Sequence, residues 1–229
     1  MKFQIASDLH TEFEENRTFL HFQPIKPVAP ILLLAGDIIV LKQAVNSIDF
    51  INYISSNWEQ VYIVPGNHEF YGKGDVSNAF DLEHDLKNIK FVNHQKIEIG
   101  GCDVYFSTLW SRAQSGTEEV ISDFKYCVYQ DEEYSVEHHN HLHDKAINWL
   151  NTELSKPKTR PRVVVSHFVP CLAADAFPKP FDERSKIMKE SEAGNTSSCL
   201  MTVSISPWVM PTVWYLLDRK SLRSSVINT

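Results

Sequence analysis

Short apolar runs that end in small or polar residues recur along the chain. They cover residues 3–6, 31–35, 61–64 and 162–165, and turn residues or polar side chains follow each one. Apolar runs of this length, rich in β-branched residues and bounded by turn residues, are typical of parallel strands that are buried on both faces. We therefore predict four buried strands at these places.

Helical patterns lie between some of these strands, at residues 44–58 and 76–86. The strongest helical pattern covers residues 136–154, where apolar side chains recur at helical spacing: Leu142, Ala146, Trp149, Leu150 and Leu154. Alternating residues on both sides of Gly100-Gly101 predict a β-hairpin over residues 97–106. Alternation of strands and helices predicts an α/β fold, and no linker composition divides residues 1–229 into two domains.

The composition is that of a globular protein, with 43% hydrophobic and 22% charged residues among 229. A formal net charge of -7 argues against nucleic acid as a stable partner. It is compatible with a phosphate-bearing substrate, because bound metal ions would reverse the sign of the charge locally. The four cysteines form no CxxC pair and no apolar signal peptide is present, so we expect a cytoplasmic protein.

Two apolar stretches have a superficial likeness to membrane segments. Residues 31–41 are too few to span a bilayer and include Asp37, so a buried strand explains them better. Residues 200–217 include Pro207, Pro211 and several hydroxyl side chains. We therefore expect no membrane partner.

Side chains that bind metals come at or just after the ends of all four predicted strands. They are Asp8 with His10, Asp37, Asn67 with His68, and His167. In open α/β sheets, ligands bind at the carboxyl ends of the strands. A mixture of carboxylate, imidazole and amide ligands suits Mn, Fe or Zn better than Mg or Ca. Taken singly, each residue has a simpler explanation in a turn or as a buried histidine, but their common placement favours a metal site.

These motifs resemble those of a known family. Asp8-x-His10, Gly36-Asp37, Gly66-Asn67-His68-Glu69, and His167 after three valines follow one another as in the calcineurin-like metallophosphoesterases. The likeness is closest to small bacterial members and covers residues 1 to about 170. The resemblance implies a two-sheet α/β sandwich flanked by helices.

The resemblance also implies a site with two divalent metal ions, Mn, Fe or Zn. In that arrangement Asp8 and His10 bind the first metal, Asp37 bridges both, and Asn67 and His167 bind the second. Two-metal hydrolytic sites hold their ions roughly 3.5–4 Å apart.

The catalytic residue implied by the resemblance is His68, which would face the substrate phosphate and protonate the leaving oxygen or stabilise charge. A metal-bound hydroxide would attack phosphorus in line. The expected substrate is a phosphomonoester or phosphodiester, part of either a small molecule or a macromolecule. The surrounding loops would determine which ester the site accepts. In these loops Phe70, Tyr71 and Trp110 are candidates for an aromatic surface or for the core.

The family pattern is incomplete in this chain. The Gly-His-x-His motif that supplies one histidine to each metal is missing, since no histidine follows His167. Residues 195–229, approximately, are atypical of the family. A second hypothesis follows, in which the chain is a catalytically impaired member that binds a phosphate ligand or acts as a scaffold. The absence of a Gly-x-Ser-x-Gly elbow and of a P-loop argues against serine hydrolases and NTP-driven enzymes.

A frameshift is one explanation of this tail. Residues 208–213, Trp-Val-Met-Pro-Thr-Val, are encoded by TGG GTN ATG CCN ACN GTN. Read from the last base of the tryptophan codon, this becomes GGT NAT GCC NAC, which permits Gly-His-Ala-His. Resequencing tests the hypothesis, because an asparagine or aspartate codon at either histidine position would contradict it. The alternative is a genuine divergent terminus, loosely packed or disordered.

A second group of histidines lies at the start of the helical pattern over residues 136–154. It comprises His138, His139, His141 and His143. A spacing of four residues can place two ligands on one helical face, although no HExxH motif is present. Solvated surface is the simpler explanation of this cluster.

Overall fold

The computed structural model describes residues 2–78 and 88–168, together with the backbone of two short strands nearer the C-terminus. The strands are β1 (Phe3–Ala6), β2 (Ile31–Ala35), β3 (Gln60–Val64), β4 (Gly74–Asp75), β5 (Ile89–Phe91), β6 (Gln95–Ile99), β7 (Cys102–Ser107), β8 (Cys127–Tyr129), β9 (Glu132–Glu133), β10 (Arg162–Ser166), β11 (Met201–Thr202) and β12 (Trp214–Tyr215). The helices are α1 (Glu14–Phe22), α2 (Ile48–Asn57), α3 (Asp123–Tyr126) and α4 (Val136–Ser155), with 3-10 turns at Leu41–Ser47, His68–Phe70 and Thr117–Glu119.

The first sheet is parallel, with the strand order β1-β2-β3-β5. All five residues of β2 are buried, because the sheet is covered on both faces. One face packs against the second sheet, and the other packs against Ile51 and Ile54 of α2 and Trp58 just after it. This explains why the strand is a continuous apolar run rather than an alternating one.

The second sheet has the order β10-β7-β6, with β10 parallel to β7 and β6 antiparallel to it. The predicted hairpin is β6–β7, and its turn needs glycine because Gly100 and Gly101 have φ of 58° and 81°. Side chains of both sheets form one core cluster, which includes Leu33, Val64 and Phe106. The structure thus has the two-sheet α/β sandwich that the resemblance implied.

Helix α4 covers the outer face of the second sheet. Ala146 and Leu150 pack against Tyr105 of β7 and Val164 of β10. Its N-terminus is capped by Ser135, whose hydroxyl accepts a hydrogen bond from the backbone N–H of His138. The helix ends one residue beyond the predicted range, so this prediction is confirmed.

Two other helix predictions need correction. In residues 44–58 the α-helix covers only Ile48–Asn57, because the chain forms 3-10 turns over Leu41–Ser47. Residues 76–78 form a turn rather than a helix start, since the Asp75 carboxylate accepts the backbone N–H of Ser77 at 2.8 Å. The rest of the 76–86 prediction lies outside the described residues. So does the tail hypothesis, apart from the backbone of β11 and β12, which pair with each other.

The apolar residues 31–41 form β2 and the loop that follows it. In the part of the chain that the structure describes, no helix is long and apolar enough to cross a membrane.

Candidate active site

The loops that follow β1 and β2 lie side by side at the carboxyl edge of the first sheet. The backbone N–H of Asp8 donates to Gly36 at 3.0 Å, and that of His10 donates to Asp37 at 2.9 Å. The parallel pairing of the strands therefore continues into the loops. It brings the Asp8-x-His10 segment next to the Gly36-Asp37 segment.

Three predicted ligands have left-handed backbone conformations. Asp8, His10 and Asp37 have φ of 54°, 44° and 57°. Such conformations cost about 1–3 kcal/mol each in a non-glycine residue and are concentrated at functional sites. The surrounding hydrogen bonds must therefore hold these residues in place.

Glu69 supplies much of that restraint. Its side chain is almost fully buried, with 1% of its surface exposed. One carboxylate oxygen accepts the backbone N–H groups of Ile38 and Ile39 at 2.7 and 3.2 Å, and the other accepts those of Asp37 and Gly66 at 2.9 and 2.6 Å. Burial and the nearby Asp37 carboxylate raise the pKa of Glu69 to about 7. Glu69 thus ties the loop after β2 to the loop after β3.

Asp37 lies between two histidines. Its Oδ1 is 3.5 Å from His167 Nε2 and accepts the backbone N–H of His68 at 2.9 Å. Its Oδ2 is 3.8 Å from His10 Nε2. The two oxygens of one buried carboxylate thus face two different imidazoles.

His167 and Asn67 converge on the same side of Asp37. His167 Nδ1 donates to the carbonyl oxygen of Ala35 at 3.0 Å, which leaves Nε2 turned towards Asn67 Oδ1 at 3.1 Å. Asp8, Asp37 and His167 each offer a ligand atom, and these atoms lie within 4.8 Å of one another.

This site has the electrostatics of a cation site. Burial raises the pKa of Asp8, and the neighbouring Asp37 adds to the effect. Burial disfavours the imidazolium form of His167, but Asp37, Asp8 and Glu69 outweigh it and raise its pKa to about 8. His167 Nε2 thus lies among carboxylate and amide oxygens, in a position suited to a metal cation. The donor set fits divalent ions that accept nitrogen and oxygen ligands.

Two glycines make this convergence sterically possible. A Cβ on Gly36 would lie 2.3 Å from His167 Nδ1, and a Cβ on Gly66 would lie 2.2 Å from Asp37 Oδ1. Any side chain at either position would displace a candidate ligand. The glycines of the two sequence motifs are therefore needed for close approach as well as for turning the chain.

Glu12, which no sequence motif predicted, contacts both His10 and His68. Its Oε1 lies 2.9 Å from His10 Nδ1 and 2.7 Å from His68 Nδ1. Burial opposes ionisation of Glu12, but the hydrogen bonds from the two histidines outweigh it and lower the pKa of Glu12 to about 2. The only hint of this role in the sequence is that Glu12 comes two residues after His10.

Asp123 is a second missed residue. Its Oδ1 accepts hydrogen bonds from Asn67 Nδ2 at 2.8 Å and from the Tyr71 hydroxyl at 2.7 Å. Burial raises the pKa of Asp123 despite these bonds. The contact turns the amide oxygen of Asn67 towards His167. Asp123 is distant from Asn67 in sequence, so no local pattern revealed it.

All six predicted site residues meet at one edge of the sandwich, whereas most of the other candidates belong to the core. Phe70 and Trp110 are buried, but Tyr71 stacks on His68 with 4.1 Å between ring centroids. His139 is buried, and burial lowers its pKa to about 4. His143 is hydrogen-bonded to the carbonyl oxygen of Trp110. Among the described residues, the possible metal-binding groups include no histidine of α4.

Comparisons with known proteins identify the family and the fold. The search of curated proteins found no significant match. Among solved structures, the phosphopantetheinyl hydrolase PptH from Mycobacterium tuberculosis matches with a TM-score of 0.57 and 15% identity, over 83% of this chain and 75% of that one. At this identity the match shows a shared fold. The family model of the calcineurin-like phosphoesterases matches residues 1–183, so it covers every candidate site residue described above. The chain therefore belongs to the calcineurin-like phosphoesterase family, whose members are metal-dependent hydrolases of phosphoric esters.

Proposed function

We propose that this protein hydrolyses phosphate esters with two divalent cations held on either side of Asp37. The observation that carries the proposal is the position of the Asp37 carboxylate, whose oxygens lie 3.8 Å from His10 Nε2 and 3.5 Å from His167 Nε2. A carboxylate placed between two such groups suits the role of a bridging ligand.

The remaining candidate ligands divide between the two sides. Asp8 and His10 would hold one cation, and Asn67 and His167 would hold the other. Two such cations would supply Lewis acidity and a strong oxygen nucleophile near neutral pH, and Mn, Fe or Zn would suit this donor set. The chain holds the ligands ready, because Glu69 fixes the loops and Asp123 orients the amide of Asn67.

His68 is the residue that we propose acts directly on the substrate. Its backbone N–H is bound to Asp37 Oδ1, and its ring is held between Glu12 and the stacked ring of Tyr71. This placement fixes the imidazole beside the cation ligands. From there His68 would donate a proton to the leaving oxygen or stabilise the negative charge that develops on the phosphoryl group.

The missing terminal motif supports a second candidate function. No histidine follows His167, so two ligands expected in this family are absent from the chain. Loss of ligands weakens metal binding. In this alternative, the chain binds a phosphate-bearing ligand with little turnover.

Metal-dependent turnover distinguishes the two functions. The purified protein would be stripped with a chelator, loaded with Mn²⁺, freed of excess metal and assayed with p-nitrophenyl phosphate and bis-p-nitrophenyl phosphate. We expect two ions per chain and hydrolysis that disappears on stripping and returns on reloading. One ion or none, together with no turnover of either ester, would support the binding function instead.

A substitution at His68 tests its direct role. We expect His68→Gln to lower kcat by about 10²–10⁴-fold, the usual contribution of a general acid, with metal content unchanged. His21→Gln in α1 is the matched control, because His21 is exposed and outside the site. Unchanged kcat in His68→Gln would show that another group protonates the leaving oxygen.

A further inference from the structure

Glu12 is hydrogen-bonded to two site histidines, His10 and His68, for which we propose different roles. One oxygen, Oε1, lies within hydrogen-bond distance of the Nδ1 atoms of both His10 and His68. The two imidazole rings are also in edge contact, with centroids 4.4 Å apart. A single carboxylate oxygen thus links a candidate metal ligand to the candidate catalytic residue.

These contacts determine which nitrogen of each ring carries a proton. An ionised carboxylate oxygen can only accept hydrogen bonds, so Nδ1 must be the donor in both rings. In a neutral imidazole the other nitrogen, Nε2, then has the free lone pair. For His10 this is the atom that faces Asp37 Oδ2.

The position of Glu12 is itself held by the fold. Arg17 donates to the carbonyl oxygens of Thr11 and Glu12, both at 2.8 Å. The backbone N–H and the hydroxyl of Thr11 both donate to the carbonyl oxygen of Ile38, at 2.9 and 2.7 Å. Helix α1, through Arg17, and the loop after β2, through Ile38, therefore both restrain the loop that carries Glu12.

We propose that Glu12 is a positioning residue that keeps His10 and His68 in the Nδ1–H tautomer, so that Nε2 of His10 presents its lone pair to a cation and Nε2 of His68 faces the substrate. His68 would then act as an acid only after Nε2 has taken up a second proton, with the Glu12 carboxylate balancing the charge of the imidazolium. The inference rests on the proposed function of the site. It adds that one carboxylate prepares both histidines, because outer carboxylates that hold ligand imidazoles fix the tautomer and orientation of the ring.

A direct ligand role for Glu12 is the rival explanation. Its carboxylate and the two imidazoles offer atoms within 4.8 Å of one another, as a metal site would. The Nδ1–oxygen distances of 2.7 and 2.9 Å are those of hydrogen bonds, which favours the positioning role.

The experiment compares wild type, Glu12→Ala and Glu12→Gln in Zn²⁺-titrated protein. Zn²⁺ affinity would be measured by competition with a chromogenic chelator. The histidine tautomers would be determined by long-range ¹H–¹⁵N correlation of the imidazole rings. We expect Glu12→Ala to weaken Zn²⁺ binding by about 10–100-fold and to lose the Nδ1–H tautomer of His68. Glu12→Gln keeps an acceptor oxygen in place, so we expect a smaller loss.

Glu15→Ala is the matched control, because it removes an exposed carboxylate from the first turn of the neighbouring helix. Thermal unfolding identifies any variant that fails to fold, and the shape-conserving Glu12→Gln then carries the test. An unchanged His68 tautomer in Glu12→Ala overturns the proposal. If the His68 tautomer is unchanged in Glu12→Ala and one bound ion is lost, Glu12 is a direct ligand. Wild-type protein with both Nδ1–H tautomers and no turnover would leave the positioning role standing and contradict the proposed hydrolysis instead.

Discussion

Asp37→Asn is expected to abolish hydrolysis of phosphate esters while the protein remains folded. Asparagine has nearly the same shape and tolerates the φ of 57° at this position. It removes the charge of the carboxylate whose two oxygens face His10 and His167. Metal ions contribute several kcal/mol of transition-state stabilisation, so their loss should lower kcat/KM by about 10³-fold or more.

The measurement combines kcat/KM for bis-p-nitrophenyl phosphate with the metal content of each protein. Asp49→Asn is the control, because it removes an exposed carboxylate from the first turn of α2. Near-wild-type kcat/KM and two bound ions in Asp37→Asn would exclude a bridging role for Asp37.

Glu69→Gln is expected to have the largest effect on stability. The carboxylate accepts four backbone N–H groups in a nearly fully buried position. An amide would replace one acceptor oxygen by an NH₂ group that faces donors, leaving two buried N–H groups without a partner. At about 1–3 kcal/mol for each group, we expect the free energy of unfolding to fall by about 2–6 kcal/mol.

Denaturant unfolding of the metal-free protein measures this change without any contribution from bound ions. Glu59→Gln is the matched control, since Glu59 is exposed before β3. We also expect Glu69→Gln to lower metal affinity, because Asp37 and Gly66 would no longer be tied to the same side chain. Equal unfolding free energies for Glu69→Gln and wild type would show that this carboxylate does not hold the loops.

The strands and their polar ends could be predicted because both are local signals. The run Ile31–Ala35 is apolar throughout, and Gly36-Asp37 follows it directly. Strands that run parallel in one sheet bring their carboxyl ends to the same edge, so motifs far apart in sequence were expected to meet. The helix prediction over residues 76–86 failed at its start, because Asp75 binds the backbone two residues ahead and forms a turn.

Glu12 and Asp123 were missed because their roles arise only from contacts across the fold. Nothing near Asp123 in the chain indicates that it meets Asn67, and a glutamate two residues after a histidine is common in any sequence. The Gly66-Asn67-His68-Glu69 motif also did not show that Glu69 accepts hydrogen bonds from the backbone of another loop rather than contacting the substrate.

The sequence by itself determined the strand–helix alternation, the family and the identity of the candidate metal and catalytic residues. These depend on hydrophobic periodicity and on short motifs, which are properties of neighbouring residues. Only the tertiary structure decided which oxygen of Asp37 faces which histidine, and which carboxylates hold the imidazole and amide groups in place. Those features depend on distances between side chains from different strands, and such distances exist only once the sheets have packed.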